Sequence, residues 1–129
     1  MTPQGLRVLS SRHDAVETLD RLEAIVTRHG MTIFTRIDHG AAAEKAGLEL
    51  RPTVVLVFGN PRAGTPAMRA TPTLAIDLPL RMLIWQDEKG TWLAYSEPHW
   101  VMRRHGIADD GSADVMNDVL ASIAAEAAG

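Results

Sequence analysis

The sequence contains no cysteine. That excludes a disulfide framework, a thiolate metal site and a cysteine nucleophile together. It also favours a reducing compartment, since small secreted domains lean on disulfides. Aromatic residues are scarce at 5%, with one tyrosine, two phenylalanines and three tryptophans, so the core has to be built from Leu, Ile, Val, Ala and Met. Positive charge is not in excess either: the formal net charge is −3, which gives nothing to steer the chain toward nucleic acid or an anionic membrane. The longest strongly apolar run, Val54 to Phe58, is far too short to span a bilayer. The opening MTPQGLRVLS lacks the apolar stretch of a signal peptide. These absences predict a cytoplasmic protein with neither a nucleic-acid nor a membrane partner.

What is present is ordinary globular material: 129 residues, 46% of them hydrophobic and 22% charged, enough for one domain over residues 1–129 with a single core. Leu6 to Leu9 can start a strand. Ser11 and Asp14 read as a capping box for a helix carrying Ala15, Val16, Leu19, Leu22, Ile25 and Val26 on one face, closed by Gly30. Met31, Ile33, Thr35 and Ile37 alternate with Thr32, Phe34 and Arg36 as in a strand. Asp38 can cap a short Ala-rich helix, Gly40 to Ala46, stopped by Gly47. Thr53 to Phe58, β-branched and apolar on both faces, predicts a buried inner strand.

From Gly59 to Thr73 the pattern is least regular. Asn60-Pro61 and Thr65-Pro66 each place a capping side chain before a proline, which predicts two helices of one or two turns. Met82 to Trp85 and Thr91 to Tyr95 flank a hairpin loop at Asp87-Glu88-Lys89-Gly90. Ser96 is the expected cap of a helix carrying Trp100 and Val101 and closed by Gly106. Ser112 opens a last helix with Val115, Met116, Val119, Leu120 and Ile123 on one face, frayed from Ala124 to Gly129. The fold class is therefore α+β, a single mixed or antiparallel sheet with helices packed on it.

The middle half of the chain, about residues 37–95, carries a distinctive series of blocks: Asp38-His39, Gly47-Leu48, Pro52-Thr53, Phe58 to Pro61, Gly64-Thr65, Met68, Pro72 and Asp77-Leu78-Pro79-Leu80. In these the chain resembles the bacterial and archaeal family called domain of unknown function 302. The resemblance implies a compact α+β domain that often associates as a homodimer, and it implies no reaction.

Three constellations could carry chemistry. Gly59-Asn60-Pro61-Arg62-Ala63-Gly64-Thr65 follows a strand and has the G-x-x-x-x-G layout of a phosphate loop. It has no lysine after Gly64, and Pro61 and Pro66 lack the N–H donors such a loop uses. A looser anion nest with Arg62 or Arg69 stays open beside the plainer reading of a tight turn over the sheet edge. Asp38-His39 lies at a strand-to-helix junction, where Asp38 could orient a general acid or base; as a plain structural feature, Asp38 caps the helix and His39 is its exposed first residue. Asp77 sits in an apolar run and must be paired or protonated if buried; Arg81, Arg51 and Lys45 are the expected partners.

The remaining histidines, His13, His29, His99 and His105, show no metal-ligand spacing, so no metal and no cofactor is expected. No G-x-S-x-G elbow supports a hydrolase triad. Trp92 and Trp100 could line a pocket or a subunit interface.

The first functional expectation is a small-molecule binding or sensing domain with its site among Asp38, His39, Asn60, Arg62, Gly64, Thr65 and Asp77. One alternative is an enzyme using His39 as acid or base. The other is a dimeric interaction module, which would need an apolar surface patch of several hundred Å².

Overall fold

The computed structural model describes residues 2–129. In chain order the elements are β1 (Leu6–Ser11), α1 (Ala15–Arg28), β2 (Thr32–Asp38), α2 (His39–Lys45), β3 (Thr53–Gly59), α3 (Pro61–Ala70), a 3-10 turn (Pro72–Ile76), β4 (Leu80–Asp87), β5 (Gly90–Ser96), α4 (Pro98–Arg104) and α5 (Ser112–Ala128). The strands form one sheet in the order β1-β5-β4-β3-β2, and every neighbouring pair is antiparallel. This is an α+β fold with a purely antiparallel sheet.

Successive strand residues point to opposite faces, so the register sorts the side chains into rows. One face carries the rows Leu56–Met82–Tyr95 and Val54–Ile84–Leu93–Leu9. Leu22, Ile25 and Val26 of α1 and Leu120, Ile123 and Ala127 of α5 pack against it, and Leu56, Met82, Ile84 and Leu93 have no exposed surface. Burying each such side chain is worth roughly 1.5–3 kcal/mol. The other face carries the row Val55–Leu83–Ala94–Val8 and the cross-strand pair Trp85–Trp92. The two indoles stack with centroids 5.9 Å apart. No helix of the core cluster lies on that face, and Val8, Val55, Leu83, Trp85 and Trp92 remain only half-buried.

Local chemistry explains where the helices begin and end. The cap of α1 is Asp14, whose Oδ1 accepts the N–H of Glu17 at 2.8 Å. Ser11 is the last residue of β1 instead, and its hydroxyl is bonded to that of the buried Thr18 at 2.7 Å. At the other end Gly30, with φ +75°, closes the helix: its N–H donates to the carbonyl of Thr27 and that of Met31 donates to Val26, the paired bonds of a left-handed glycine stop. The same geometry recurs at Gly47 and Gly106.

Several expectations need correction. The irregular stretch does not form two short helices. It forms one helix of ten residues that runs through Pro66, so Thr65 is mid-helix and caps nothing. Ser96 ends β5, and α4 starts after Glu97 with no side-chain cap. A bulge at Phe34 shifts the alternation of β2, so Ile33 faces the helices while Thr35 and Ile37 face the bare side. Val16 and Val115 are 72% and 66% exposed, off the buried stripes of their helices.

The end of α5 does not fray. Ala127 and Ala128 are buried, and the Ala128 carbonyl accepts the N–H of Arg12 at 2.8 Å. Arg21 donates from Nε to the carbonyl of Ala127 at 3.1 Å and from its guanidinium to that of Glu126 at 2.8 Å. These carbonyls have no intrahelical partner, and a cation there also complements the helix dipole. An Arg21→Ala variant should lose about 1–2 kcal/mol of stability in urea unfolding, with faster amide exchange confined to the last turn of α5. Unchanged stability would mean water satisfies those carbonyls equally well.

Candidate functional site

One end of the sheet is roofed by α3 and the 3-10 turn on one side and flanked by α4 and α5 on the other. Between them lies a cavity of about 770 Å³. That is within the roughly 300–1,000 Å³ of small-molecule sites. Its wall is mostly apolar. Four of the six methionines of the chain, Met31, Met68, Met102 and Met116, line it. Thioether side chains are unbranched and flexible and adapt to irregular shapes.

The roof is a loosely seated helix. Asn60 caps α3 by accepting the N–H of Arg62 on Oδ1 at 3.0 Å. No residue of α3 is buried, and Gly64, Ala67 and Met68, at helical spacing, form its half-buried inner face. The small residues keep the roof thin. A methyl group on Gly64 would sit 3.8 Å from Leu78 and Met68, in ordinary contact, and the backbone there does not require glycine. The bulge in β2 turns Phe34 to the same end of the sheet, where its ring lies 3.8 Å from the position a side chain on Gly59 would take.

One charged cluster stands at the cavity wall. The Asp77 carboxylate accepts from Arg104 Nη1 at 2.9 and 3.1 Å and is bonded to His105 Nε2 at 2.5 Å. His105 Nδ1 in turn bonds the Thr73 hydroxyl at 2.9 Å. The imidazole is nearly enclosed, with 6% of the side chain exposed, whereas Arg104 is half-exposed and lies over the Trp100 ring at 5.9 Å. Gly106, at φ +67°, stops α4 immediately after His105 and so fixes where the ring leaves the helix. The cluster ties the 3-10 turn to the end of α4 across the cavity.

Asp77 is therefore paired, but by Arg104 and His105 rather than by Arg81, Arg51 or Lys45; Arg51 pairs with Asp87 at 3.3 Å. Sequence reasoning missed both partners, 27 and 28 residues away, because no local pattern shows that the end of α4 packs beside the 3-10 turn. The one available signal was Arg103-Arg104-His105 before Gly106, which marks a basic helix end but not its partner.

The structure divides the predicted site residues into two groups. Asn60, Gly64, Thr65 and Asp77 line the cavity. Asp38 and His39 lie elsewhere: Asp38 caps α2 by accepting the N–H of Ala41 at 2.9 Å, and His39 is the exposed first residue of that helix. Arg62 is exposed on α3 and is not part of the cavity wall.

The G-x-x-x-x-G stretch is mostly helix, and its donors are committed. The N–H of Arg62 goes to the Asn60 side chain, those of Ala63 and Gly64 to the Asn60 carbonyl, and Pro61 has none. No backbone N–H from Pro61 to Gly64 is left for an anion.

Burial pushes the Tyr95 phenol up, with Arg7 opposing, and the Ser112 hydroxyl and N–H hold the exposed Asp110 carboxyl down. Among the described residues no three His, Asp or Glu side chains gather as a metal site requires. No helix among them is long and apolar enough to cross a membrane.

Residues 7–127 match the family described as "Domain of unknown function DUF302". The chain belongs to the DUF302 family. The crystal structure of an uncharacterized conserved DUF302 protein from Bacillus stearothermophilus superposes on it with a TM-score of 0.84, covering 97% of this chain and 99% of that one at 17% identity, which speaks to the fold. Two Brucella proteins named fluoride-specific ion channel FluC 1, from B. suis biovar 1 (strain 1330) and B. abortus biovar 1 (strain 9-941), are each 41% identical over 128 residues. The matches cover 97% of this chain but 50% and 47% of those proteins, so this DUF302 domain spans about half the length of its curated relatives.

An Asp77→Asn variant tests what the charged cluster does for this domain. It should cost about 1–2 kcal/mol in urea unfolding, because His105 and Arg104 lose a charged acceptor of which one side is solvent-screened. Thr73→Val, which removes only the outermost hydroxyl, should cost less than half as much.

Proposed function

We propose that this domain binds a small, predominantly apolar molecule in the cavity beneath α3. The observation that carries the reading is the cavity wall: a methionine-lined interior with a few polar groups, among them Asn60, Thr65 and Asp77. Binding sites for small molecules combine these features, whereas a purely structural end of a sheet has its apolar residues packed against one another. The roof helix, held by no buried residue, has the freedom to admit a ligand. The cysteine-free composition supports a cytoplasmic setting for this activity.

An enzyme using His39 as acid or base has less support, since His39 is exposed and outside the cavity, where nothing excludes water. The Brucella relatives are named as ion channels and are about twice as long as this chain; for this chain by itself we propose ligand binding rather than conduction.

The test is fluorescence titration with Nile red, a neutral environment-sensitive dye, followed by displacement with a series of n-alkanols. Affinity should rise about fourfold per methylene until the cavity is filled, as expected for about 0.8 kcal/mol per buried CH₂. Gly64→Trp should abolish binding while leaving the far-UV spectrum intact, because the indole projects into the cavity from an exposed helix. Gly64→Ala should retain it. Dye binding that survives Gly64→Trp would rule the cavity out.

A second reading, a homodimer, is supported by the bare face of the sheet. Val8, Val55, Leu83, Trp85 and Trp92, half-buried around the enclosed Ala94, give this face an apolar centre, with the exposed Arg81 at its margin. Five strands about 4.8 Å apart and about six residues long give roughly 500 Å² per copy. Two copies face to face would bury about 1,000 Å², the lower bound for a specific interface, and a flat apolar sheet is its own best complement in a two-sheet sandwich. Light scattering should give twice the chain mass at micromolar concentration, and Leu83→Glu should give a folded monomer. A wild-type monomer at 100 µM would dismiss this reading.

A further inference from the structure

The cavity is not confined to one side of the sheet. Leu80 and Arg81 are consecutive residues of β4, so they point to opposite faces, yet both line it. Leu80 lies on the helix-covered face with Leu120 and Met116, in the apolar interior. Arg81 lies on the bare face and is exposed. Continuing the β4–β5 register, in which Met82 is opposite Tyr95, brings Arg81 opposite Ser96, a second exposed lining residue. The cavity thus bends round the end of the sheet from a greasy interior to a mouth carrying a guanidinium and a hydroxyl.

The charges at the site do not balance. Its titratable lining side chains are Asp77, Arg81 and Arg104. Asp77 is already compensated by Arg104 and by His105 just outside the wall. Among the described residues no carboxylate lies within ion-pairing distance of Arg81. The mouth therefore offers one uncommitted cation beside one hydroxyl donor, and the only acid of the lining is not available to repel an anion.

We infer that the ligand is a single-tailed amphiphile with a carboxylate head, its alkyl tail among Leu80, Met116 and Leu120 and its head on Arg81 and Ser96. The inference rests on the cavity being the binding site. A guanidinium presents a planar fork of donors that matches a carboxylate in shape and charge. A tail confined to the helix side and a head at the mouth satisfy both ends without burying an unpaired charge. A cationic head would meet Arg81 with like charge, and a neutral head would leave the guanidinium without its ionic partner.

Isothermal titration of the full chain with decanoate, decanol and decyltrimethylammonium separates the possibilities. Decanoate should bind at least tenfold more tightly than decanol, and decyltrimethylammonium more weakly than either. The decanoate advantage should shrink in 0.5 M salt, as expected for an exposed ion pair. In Arg81→Gln, an exposed substitution, decanoate and decanol should become equal while decanol binds as in the wild type. Equal binding of decanoate and decanol by the wild type, or an advantage that persists in Arg81→Gln, would overturn the carboxylate assignment and leave the cavity reading standing. If none of the three binds, both fall.

Discussion

The burial of one face of β3, β4 and β5 beneath α1 and α5 is the constraint on which the rest of this structure depends. Leu56, Met82, Ile84 and Leu93 are sealed by that contact, and the two helices are in turn stitched to each other and to the strands at their ends. The first N–H of α1 finds the Gln86 side chain of β4 at 2.8 Å, and the last carbonyls of α5 find Arg21 of α1 and Arg12 beyond β1. With both helices committed to one face, the shorter helices are free to occupy the margins. A thin roof over one end of the sheet and an uncovered opposite face follow from this division.

Element types were legible wherever local chemistry alone decides them. The left-handed stops at Gly30, Gly47 and Gly106 were readable because few other residues adopt that backbone without cost. The hairpin at Asp87–Gly90 was readable because an aspartate before a glycine-ended turn can hold it with its own carboxylate, and Asp87 Oδ1 does accept the N–H groups of Lys89 and Gly90. The β-branched run in β3, apolar on both faces, announced a buried inner strand; it does lie between β4 and β2, but the helices of the core cover only one of its faces and Val55 on the other is half-buried. Errors fell where tertiary packing overrules local preference. Pro66 reads as a helix start yet sits inside α3, because a half-exposed roof tolerates one missing hydrogen bond. Ala124, Ala127 and Ala128 of α5 read as a frayed end yet are buried, because their small side chains let the helix lie close to α1 and β1.

The candidate site was half-legible for the same reason. Asn60, Gly64, Thr65 and Asp77 fall in one continuous stretch of sequence that folds back over one end of the sheet, so proximity in sequence became proximity in space. Asp38 and His39 share the chemistry of a site but sit at the far end of β2, where the capping bond to Ala41 fully accounts for the carboxylate. Arg104 and His105 could not be anticipated as cavity neighbours, and Arg81, expected to pair with Asp77, lines the cavity without doing so. Their roles depend on how the end of α4 and the start of β4 meet across the roofed end, and no local pattern encodes that meeting.

The bulge at Phe34 interrupts the ladder of β2 at the open border of the sheet. An uninterrupted border strand with Ile33, Thr35 and Ile37 in phase would offer a flat template on which another chain could add a strand, the first step of amyloid-like growth. The extra residue twists that border, and Arg36, held by Glu23 of α1, sets a charge beside it. Strand-by-strand addition through β2 is thereby disfavoured, which leaves the bare face of the sheet, rather than this border, as the surface open to self-association.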